Sequence, residues 1–407
     1  MSSLNIRHSS VLNAMLFLSL VFLLIGHNLY DRKILFLNFS ILLLFNLKLI
    51  PDLFIRMVNN HVLFIIIAYC IVSATWSYWA YQSLEESMIQ LMLVLTCMMV
   101  ANKYSTKTIF DIFRKSTYFI IAINLIALPI LLGSAFGDSG MMGIYGHKNH
   151  FGLVIALCLI VLTFDYIESR SKITFYFCIV GFFLLFLSTS KTSILLYLLV
   201  ITLAISISTS PVKFAKHTII STKIALIGIL IALSLIVITN RYEILDYLYY
   251  HIDESFMTSR GKLWLNMLLH AEDKIIYGFG FNSVWGKSEF SEIYFSPLFE
   301  SDPIWVKELA ASDSGYVDLI LSLGIVGCSI FIYFIISTLI SLIYIKSSRY
   351  FPVMFSLFLF VTLHNITETS FLLSTNILWY ITILISFLRY NEEKNLSTID
   401  VKIIERS

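Results

Sequence analysis

Charged residues are scarce in this sequence, and long uncharged stretches take their place. Only 13% of the 407 residues are Asp, Glu, Lys or Arg, whereas 58% are hydrophobic, and the mean hydropathy is +0.84. So little charge excludes an ordinary protein with a water-exposed surface. The composition indicates instead that most of the chain lies in lipid, where a charged group is costly and usually marks function.

Cysteines are also few, and the sequence has neither an internal repeat of fixed period nor a low-complexity tract. The five cysteines all fall within apolar runs, and their spacing predicts neither a metal site nor a disulfide framework. We expect them to serve packing. The first apolar run lacks a small-residue cleavage site after it, so we expect a retained helix, not a removed signal peptide. The cysteines are Cys70, Cys97, Cys158, Cys178 and Cys328.

Twelve apolar runs approach or reach the length needed to cross the ~30 Å hydrocarbon layer of a bilayer. Because backbone polar groups in lipid need partners within the same segment, these runs are predicted to be helices. The predicted fold is all-α: a polytopic bundle of about 12 spans that forms a single integral membrane domain over residues 1–407. The runs lie near 11–30, 34–50, 61–79, 87–101, 116–133, 150–167, 173–188, 192–208, 222–239, 316–344, 351–364 and 371–388. The tenth is longer than one span needs, so we expect it to tilt or to begin outside the bilayer.

Lysine and arginine are distributed unevenly between alternate loops. If the N-terminus is cytoplasmic and every run crosses, most of the 28 Lys and Arg residues lie on the inner side, as the positive-inside rule requires. Both termini are then cytoplasmic. Arg32 and Lys33 break the pattern, because they fall on the outer side between the first two runs.

One connection is far longer than the others. Residues 241–313 separate the ninth and tenth runs, on the outer side, and are rich in aromatic residues. A solvated or disordered linker would not carry so many, and a loop of this length is usually functional. Within it, Ser259 can cap an amphipathic helix that places Trp264 at the membrane–water boundary. Gly278 and Gly280 predict a tight turn that ends this helix.

Several polar residues fall at the outer ends of apolar runs. His147, Lys148 and Asn149 begin the sixth run, where the free N–H groups and partial positive charge of a helix N-terminus suit a phosphate. The alternative is an interfacial anchor; a metal site at His147 and His150 lacks a third ligand nearby. Lys191 lies in a Ser/Thr-rich turn that could be a simple helical hairpin, but an outward lysine favours an anion site.

The remaining candidates flank the tenth run and separate the last two. Arg260 has a planar fork that matches phosphate, although a surface arginine is the alternative. Asp313 can act as a general base, and Asp318 is an intramembrane carboxylate; capping of the tenth run is the alternative for this segment. Glu368 can pair with one of the cations. The alternative is that Glu368 and His364 lie in a simple hairpin turn, which needs neither side chain. All of these residues fall on one side of the membrane.

In their order, these motifs resemble the O-antigen ligase/polymerase superfamily of bacterial membrane glycosyltransferases, particularly its exopolysaccharide-polymerase branch. The resemblance covers roughly residues 140–370. It rests on Gly143-Ile144-Tyr145-Gly146-His147-Lys148-Asn149, Ser188-Thr189-Ser190-Lys191-Thr192, Ser259-Arg260-Gly261 with Trp264, Gly278-Phe279-Gly280, Asp313-Ser314-Gly315-Tyr316 with Leu323-Gly324-Ile325-Val326-Gly327, and His364-Asn365 with Glu368.

The resemblance implies a GT-C-like helical fold, a polyprenyl-diphosphate-linked glycan donor and an external active site. It also implies metal-independent transfer with inversion, in which Lys191 and Arg260 hold the diphosphate. The sequence departs from the family pattern at two places. Lys191 replaces the usual arginine and loses its fork, while Asp313 replaces the histidine of the ligases, with Ser314 where asparagine is common. These differences favour a polymerase over a ligase.

We therefore expect a polysaccharide polymerase that joins lipid-linked repeat units at the outer face of the bacterial inner membrane. A ligase that passes glycan to a lipid or protein acceptor is the first alternative. A transporter or flippase is the second; the clustering of polar residues on one face argues against it, and Asp318 keeps it open. No metal, cofactor or nucleic acid is expected; a chain-length regulator and a flippase are candidate partners. The expected roles are catalysis by Asp313 and Arg260, diphosphate binding by Lys191, Arg260, His147, Lys148 and Asn149, and support from Asp318, His364, Glu368 and Trp264.

Overall fold

The computed structural model describes residues 2–26, 29–46, 50–130, 135–137, 140–211, 216–252, 260–285, 293 and 309–404. Most of this part of the chain is helical, and its one sheet is a hairpin of two-residue strands, β1 (Phe136–Gly137) and β2 (Gly140–Met141). The all-α prediction is confirmed. Ser259, predicted to cap a helix of the long connection, lies outside the described residues.

The helices follow one another through short connections. In chain order they are α1 (Ser2–Ile25), α2 (Arg32–Asn46), α3 (Ile50–Asn59), α4 (His61–Ser73), α5 (Ala80–Lys103), α6 (Thr106–Ile130), α7 (Lys148–Ser169), α8 (Lys172–Leu187), α9 (Lys191–Thr209), α10 (Lys216–Thr239), α11 (Arg241–His251), α12 (Arg260–His270), α13 (Gly315–Tyr344), α14 (Phe351–His364) and α15 (Ile377–Ile404).

Six of the described helices are long and apolar enough to span a membrane: α5, α6, α7, α9, α10 and α13. A seventh candidate is the pair α3 and α4, which are bent by 85° at their junction. The helices α8 and α14 are apolar but shorter. Each of the twelve predicted runs overlaps a helix, and the number of spans stays a prediction.

The centre of the bundle is α7. Every residue from Phe151 to Leu162 is buried, because α6, α8, α9 and α14 all pack against this helix. A helix that is apolar on all sides requires such an interior position. By contrast, no part of the apolar stretch of α10 is buried within the protein, so this helix presents its surface to the surrounding lipid. The interior position of α7 fixes where its N-terminus, with His147 and Asn149, comes to lie.

A backbone break interrupts α13 at Gly324, which has φ +67° and ψ −174°. A segment of the long outer connection lies against this break. The amides of Phe279 and Gly280 donate to the carbonyls of Leu321 and Ser322 at 2.8 and 3.0 Å. In the other direction, the amides of residues 325 and 326 donate to the carbonyls of residues 275 and 276 at 2.8 and 3.2 Å. The polar groups that the break frees therefore find partners, as a low-dielectric surrounding demands.

The break shortens the membrane-crossing part of the tenth run. Residues 325–344 remain beyond it, which is about the ~20 residues that one span needs. The predicted glycine turn is confirmed, since Gly278 and Gly280 have φ +72° and +107°. It does not end α12, however. That helix stops at His270. Gly278 instead allows the backbone to approach α13, and Gly280 allows it to approach Ser77.

Glycine is required at residue 324 for two reasons. Its φ lies in the left-handed region, and a Cβ there would lie 2.2 Å from the carbonyl oxygen of Ile276. We expect Gly324→Ala to lower the free energy of unfolding by more than ~1 kcal/mol and to lower the melting temperature of the detergent-solubilised protein. Gly228→Ala in α10 is the matched control, because a Cβ there meets nothing within 4 Å. Equal melting temperatures for the two variants would contradict the proposed fit.

Candidate active site

Arg260, the first residue of α12, lies between two carboxylates from distant parts of the chain. Its Nε is 3.2 Å from Oδ2 of Asp313, and its Nη2 is 3.4 Å from Oε1 of Glu368. Its Nη1 donates to the backbone carbonyl of Thr367 at 2.5 Å. All three nitrogens of the guanidinium are thus engaged, and the predicted convergence of Arg260, Asp313 and Glu368 is present.

The N-terminus of α7 joins this cluster through Asn149. Its Nδ2 donates to Oε1 of Glu368 at 3.2 Å, the same oxygen that Arg260 contacts. His147 is the N-cap residue of α7, and its Nδ1 accepts a hydrogen bond from the Asn149 amide at 3.2 Å. This contact explains His147 as a capping residue. Lys148 occupies the first position of the helix, where its charge adds to that of the free amides.

Glu368 is a half-buried carboxylate in the turn that follows α14. Burial raises the pKa of Glu368 above that of an ordinary glutamate, and the neighbouring Asp313 raises it further. Arg260 and the hydrogen bond from Asn149 oppose this shift. The side chain of Asp313 is 48% exposed and that of Glu368 29%, so Asp313 is the more accessible of the two carboxylates.

The backbone at the start of α13 docks on the turn after α14. The Gly315 amide donates to the carbonyls of Asn365 and Glu368 at 2.9 and 3.2 Å. A Cβ at Gly315 would lie 2.3 Å from Oδ1 of Asn365, so this approach requires glycine. Asp313 has φ +57°, and the N-cap position belongs to Ser314, which makes no side-chain capping bond. Capping therefore does not account for Asp313.

Asp318, in the first turn of α13, organises the segments around the cluster. Its Oδ1 accepts from Nε1 of Trp285 at 2.8 Å and from the Ser312 amide at 3.1 Å. Its Oδ2 accepts from Oγ1 of Thr369 at 2.6 Å. These bonds join Ser312, which precedes Asp313, to Thr369, which follows Glu368. Asp318 is therefore a positioning residue.

Trp264 is held by the same segment. Its Nε1 donates to the Ser312 carbonyl at 2.7 Å, and its ring packs at the edge of a small hydrophobic cluster that joins α12 to Val317 and Leu321 of α13. The described part of the long outer connection is thus folded onto the bundle. The role of Trp264 is to fix α12, and with it Arg260, against α13.

Lys191 is a predicted site residue that makes no contact with Arg260, Asp313 or Glu368 in the described part of the chain. It is the first residue of α9 and is exposed, and no ion pair within the described part of the chain includes it. The turn before it nevertheless lies against α7, because a Cβ at Gly152 would come 2.6 Å from Cβ of Ser190. Lys191 therefore lies near the N-terminal end of α7 without touching Arg260.

A cavity of about 400 Å³ opens beside the cluster. His147, Asn149, His364 and Glu368 are among its lining residues, whereas Arg260 and Asp313 are not. His364 is 4% exposed, its ring stacks on Phe360, and its Nδ1 has no hydrogen-bond partner among the described residues. Such a buried, unsatisfied nitrogen is uncommon.

Comparison with known families agrees with this geometry. Residues 151–332 match the family model described as O-Antigen ligase. This match supports the O-antigen ligase/polymerase superfamily for that part of the chain. No curated protein matches the chain. The matched segment includes Lys191, Arg260, Asp313 and Asp318, whereas His364 and Glu368 lie beyond its end. Together with the apolar helices, the match supports a multi-pass membrane enzyme of the O-antigen ligase/polymerase type.

Sequence reasoning missed several contributors to the candidate site. Asn365 was recognised only as part of a motif, yet its Oδ1 accepts from the amides of Ser370 and Phe371 at 2.9 and 3.0 Å. The Thr367 carbonyl was missed because backbone acceptors carry no sequence signal. Trp285 and Thr369 were missed because only the fold brings them to Asp318.

We expect Asp318→Ala to destabilise the protein. Removal of the carboxylate leaves the indole of Trp285, the Ser312 amide and the Thr369 hydroxyl without their acceptor, at roughly 1–3 kcal/mol for each orphaned buried group. The melting temperature in detergent should fall, and that of Asp318→Asn should fall less, because the amide keeps one acceptor oxygen. An unchanged melting temperature for Asp318→Ala would show that the network does not stabilise this region.

Proposed function

We propose that this protein is a polysaccharide polymerase that joins polyprenyl-diphosphate-linked oligosaccharide repeat units at the outer face of the bacterial inner membrane. The observation that supports this function is the convergence of Arg260, Asp313 and Glu368 beside the N-terminus of α7. Glycosyl transfer from a diphosphate donor needs a cation for the leaving group and a base for the acceptor. This cluster offers both groups within one side-chain length of each other.

The leaving diphosphate is the first requirement. Arg260 uses three N–H groups for Asp313, Thr367 and Glu368, and a guanidinium has five. Two remain for the phosphate oxygens. Since two carboxylates already offset the charge of Arg260, the diphosphate also needs Lys148, the free amides of α7 and Lys191. These groups stabilise the negative charge that develops on the leaving oxygen.

The base is the second requirement. In the proposed step, Asp313 takes the proton of the acceptor hydroxyl while that oxygen bonds to the anomeric carbon of the donor. The bond from the same carbon to the diphosphate oxygen breaks, and the electron pair leaves with polyprenyl diphosphate. A single displacement inverts the anomeric centre. Glu368 is not the base in this step, because its Oε1 already accepts hydrogen bonds from Asn149 and Arg260. Its role is to orient Arg260.

Two other functions remain distinguishable. A ligase of the same superfamily would pass finished glycan to a lipid or protein acceptor; Asp313 in place of the histidine of the ligases favours the polymerase. A transporter would need a carrier group near the membrane centre. Asp318, which kept that function open, has its oxygens occupied by Trp285, Ser312 and Thr369.

The decisive experiment measures the lengths of glycan that the purified protein forms from a lipid-linked repeat unit, with and without EDTA. We expect a ladder of products in both cases. Arg260→Ala should lower its formation at least ~100-fold, the effect typical of losing a charge-stabilising donor. Arg241→Ala is the matched control, because within the described residues that guanidinium bonds to the neighbouring Ile238 carbonyl and Tyr242 hydroxyl and not to the cluster.

A full ladder from Arg260→Ala would refute the donor role of this residue. Single repeat units that stay unextended by the wild type would refute the polymerase. Transfer of a preformed polymer to an added acceptor would then support a ligase. Movement of the substrate across proteoliposomes without any change in glycan length would support a transporter.

Asp313→Asn tests the base. Asparagine tolerates the left-handed backbone that residue 313 adopts, so the variant should fold. We expect kcat to fall by about 10²–10⁴-fold, the usual contribution of a general base, with little change in the KM for donor. Glu368→Gln keeps an oxygen that can accept from Arg260 and Asn149 and should retain more activity. The reverse order of the two variants would assign the base to Glu368.

A further inference from the structure

The cavity is also lined by a second charged cluster, built around the arginine that breaks the positive-inside pattern. Nη1 of Arg32 is 2.8 Å from Oε1 of Glu85, and its Nη2 contacts Oε1 of Glu86. Arg32 and Glu86 line the same cavity as Asn149 and Glu368, whereas Glu85 is not part of its lining. Glu86 is only 8% exposed. A carboxylate this buried is rare unless it is paired or functional.

One part of the cavity wall is firmly held. Residues 372–378 contribute to the lining, and the Leu372 carbonyl accepts from Nε2 of Gln90 at 2.5 Å. The oxygen of the same Gln90 side chain accepts from Nε1 of Trp379 at 2.9 Å. The backbone at Leu372 is in the left-handed region, with φ +57°. The cavity is thus a preformed space, and its volume of about 400 Å³ lies within the ~300–1,000 Å³ range of small-molecule sites.

The charge of the lining bears on the ligand that the cavity favours. Among the described residues, Arg32, Glu86 and Glu368 are the charged side chains that line it. Two carboxylates and one guanidinium give the lining a negative balance, which disfavours a diphosphate in this space. A carboxylate and a guanidinium side by side form hydrogen bonds with neutral hydroxyl groups as acceptor and donor.

The uncharged part of the lining is also polar. Ser374, Thr375 and Asn376 contribute short polar side chains, and His364 is a further lining residue. Hydroxyl, amide and charged groups of this kind can both donate to and accept from hydroxyl groups. The ligand that suits them is a sugar.

We propose that the Arg32–Glu86 part of the cavity is the acceptor subsite, which binds the hydroxyl groups of a sugar ring of the acceptor glycan. This inference rests on the proposed function, because it places the acceptor in the cavity that is also lined by Glu368, the partner of Arg260. It also assigns a role to Arg32, because the positive-inside rule does not explain a positive charge on the outer side. In this arrangement Glu86 binds the sugar, and Arg32 orients Glu86 and donates to a neighbouring hydroxyl.

The test is an equilibrium measurement on the full chain in detergent, so it does not depend on turnover. The probe is a fluorescently tagged oligosaccharide repeat unit without lipid, and its Kd is obtained from anisotropy. We expect Glu86→Gln to weaken binding about 10-fold, the size of one charge-assisted hydrogen bond. Glu85→Gln is the matched control. Glu85 contacts the same arginine, but its side chain is 46% exposed and does not line the cavity. The Kd of Glu85→Gln for the probe should therefore stay within twofold of the wild-type value.

Kinetics with the tagged oligosaccharide as acceptor give a second measurement. Glu86→Gln should raise the KM for this acceptor and leave the KM for the lipid-linked donor unchanged. An equal Kd for wild type and Glu86→Gln would overturn the subsite. Tighter binding of inorganic diphosphate by Glu86→Gln would also overturn it, because it would assign the donor to this part of the cavity. Glu86→Asp, which withdraws the carboxylate by one methylene, replaces Glu86→Gln if the latter does not fold.

The two proposals fail in different ways. If the wild type extends no glycan, the polymerase proposal fails, yet a selective loss of oligosaccharide binding in Glu86→Gln still supports a sugar site. If the wild type forms a ladder and Glu86→Gln changes neither the Kd nor the acceptor KM, the subsite fails and the polymerase stands.

Discussion

The candidate site depends on a backbone interaction more than on any side chain. Residues 275–280 pair with the break in α13 through amide–carbonyl hydrogen bonds in both directions, and this pairing fixes the outer connection to the bundle. Arg260 lies in the helix just before that segment, and Asp313 lies just before α13. Without the pairing, nothing in the local sequence would bring the guanidinium to within 3.2 Å of that carboxylate. The chemistry at the membrane surface thus rests on polar groups that lipid would otherwise leave unsatisfied.

Charge balance is the second constraint on the site. One guanidinium lies between two carboxylates, which suits a resting site but does not by itself attract a dianion. The positive end of α7 and Lys148 supply the missing charge. Burial raises the pKa of Glu368, because the charged form of this carboxylate is partly removed from water. Asp313, being more exposed, remains available to a substrate.

Much of the architecture could be predicted from composition, because a helix is the form that satisfies its own backbone in lipid. The convergence of Arg260, Asp313 and Glu368 could also be anticipated, since lysine and arginine bias sets the side of each loop. The break at Gly324 could not, because its partner is a backbone segment more than forty residues away. Lys191 was predicted from the turn that contains it, yet it makes no contact with Arg260 in the described part of the chain. Arg32 was visible only as an exception, since its carboxylate partners lie on α5.

The pairing across the break in α13 also has a consequence for the order of assembly. Its two halves come from residues 275–280 and 321–326, so neither half has its partners until the chain has been synthesised past the break. In a chain that folds from its N-terminus onward, the earlier helices can pack while the outer connection is still unattached. The active site is therefore completed among the last steps of folding, and a truncated or stalled chain would hold an inserted bundle without catalytic capacity.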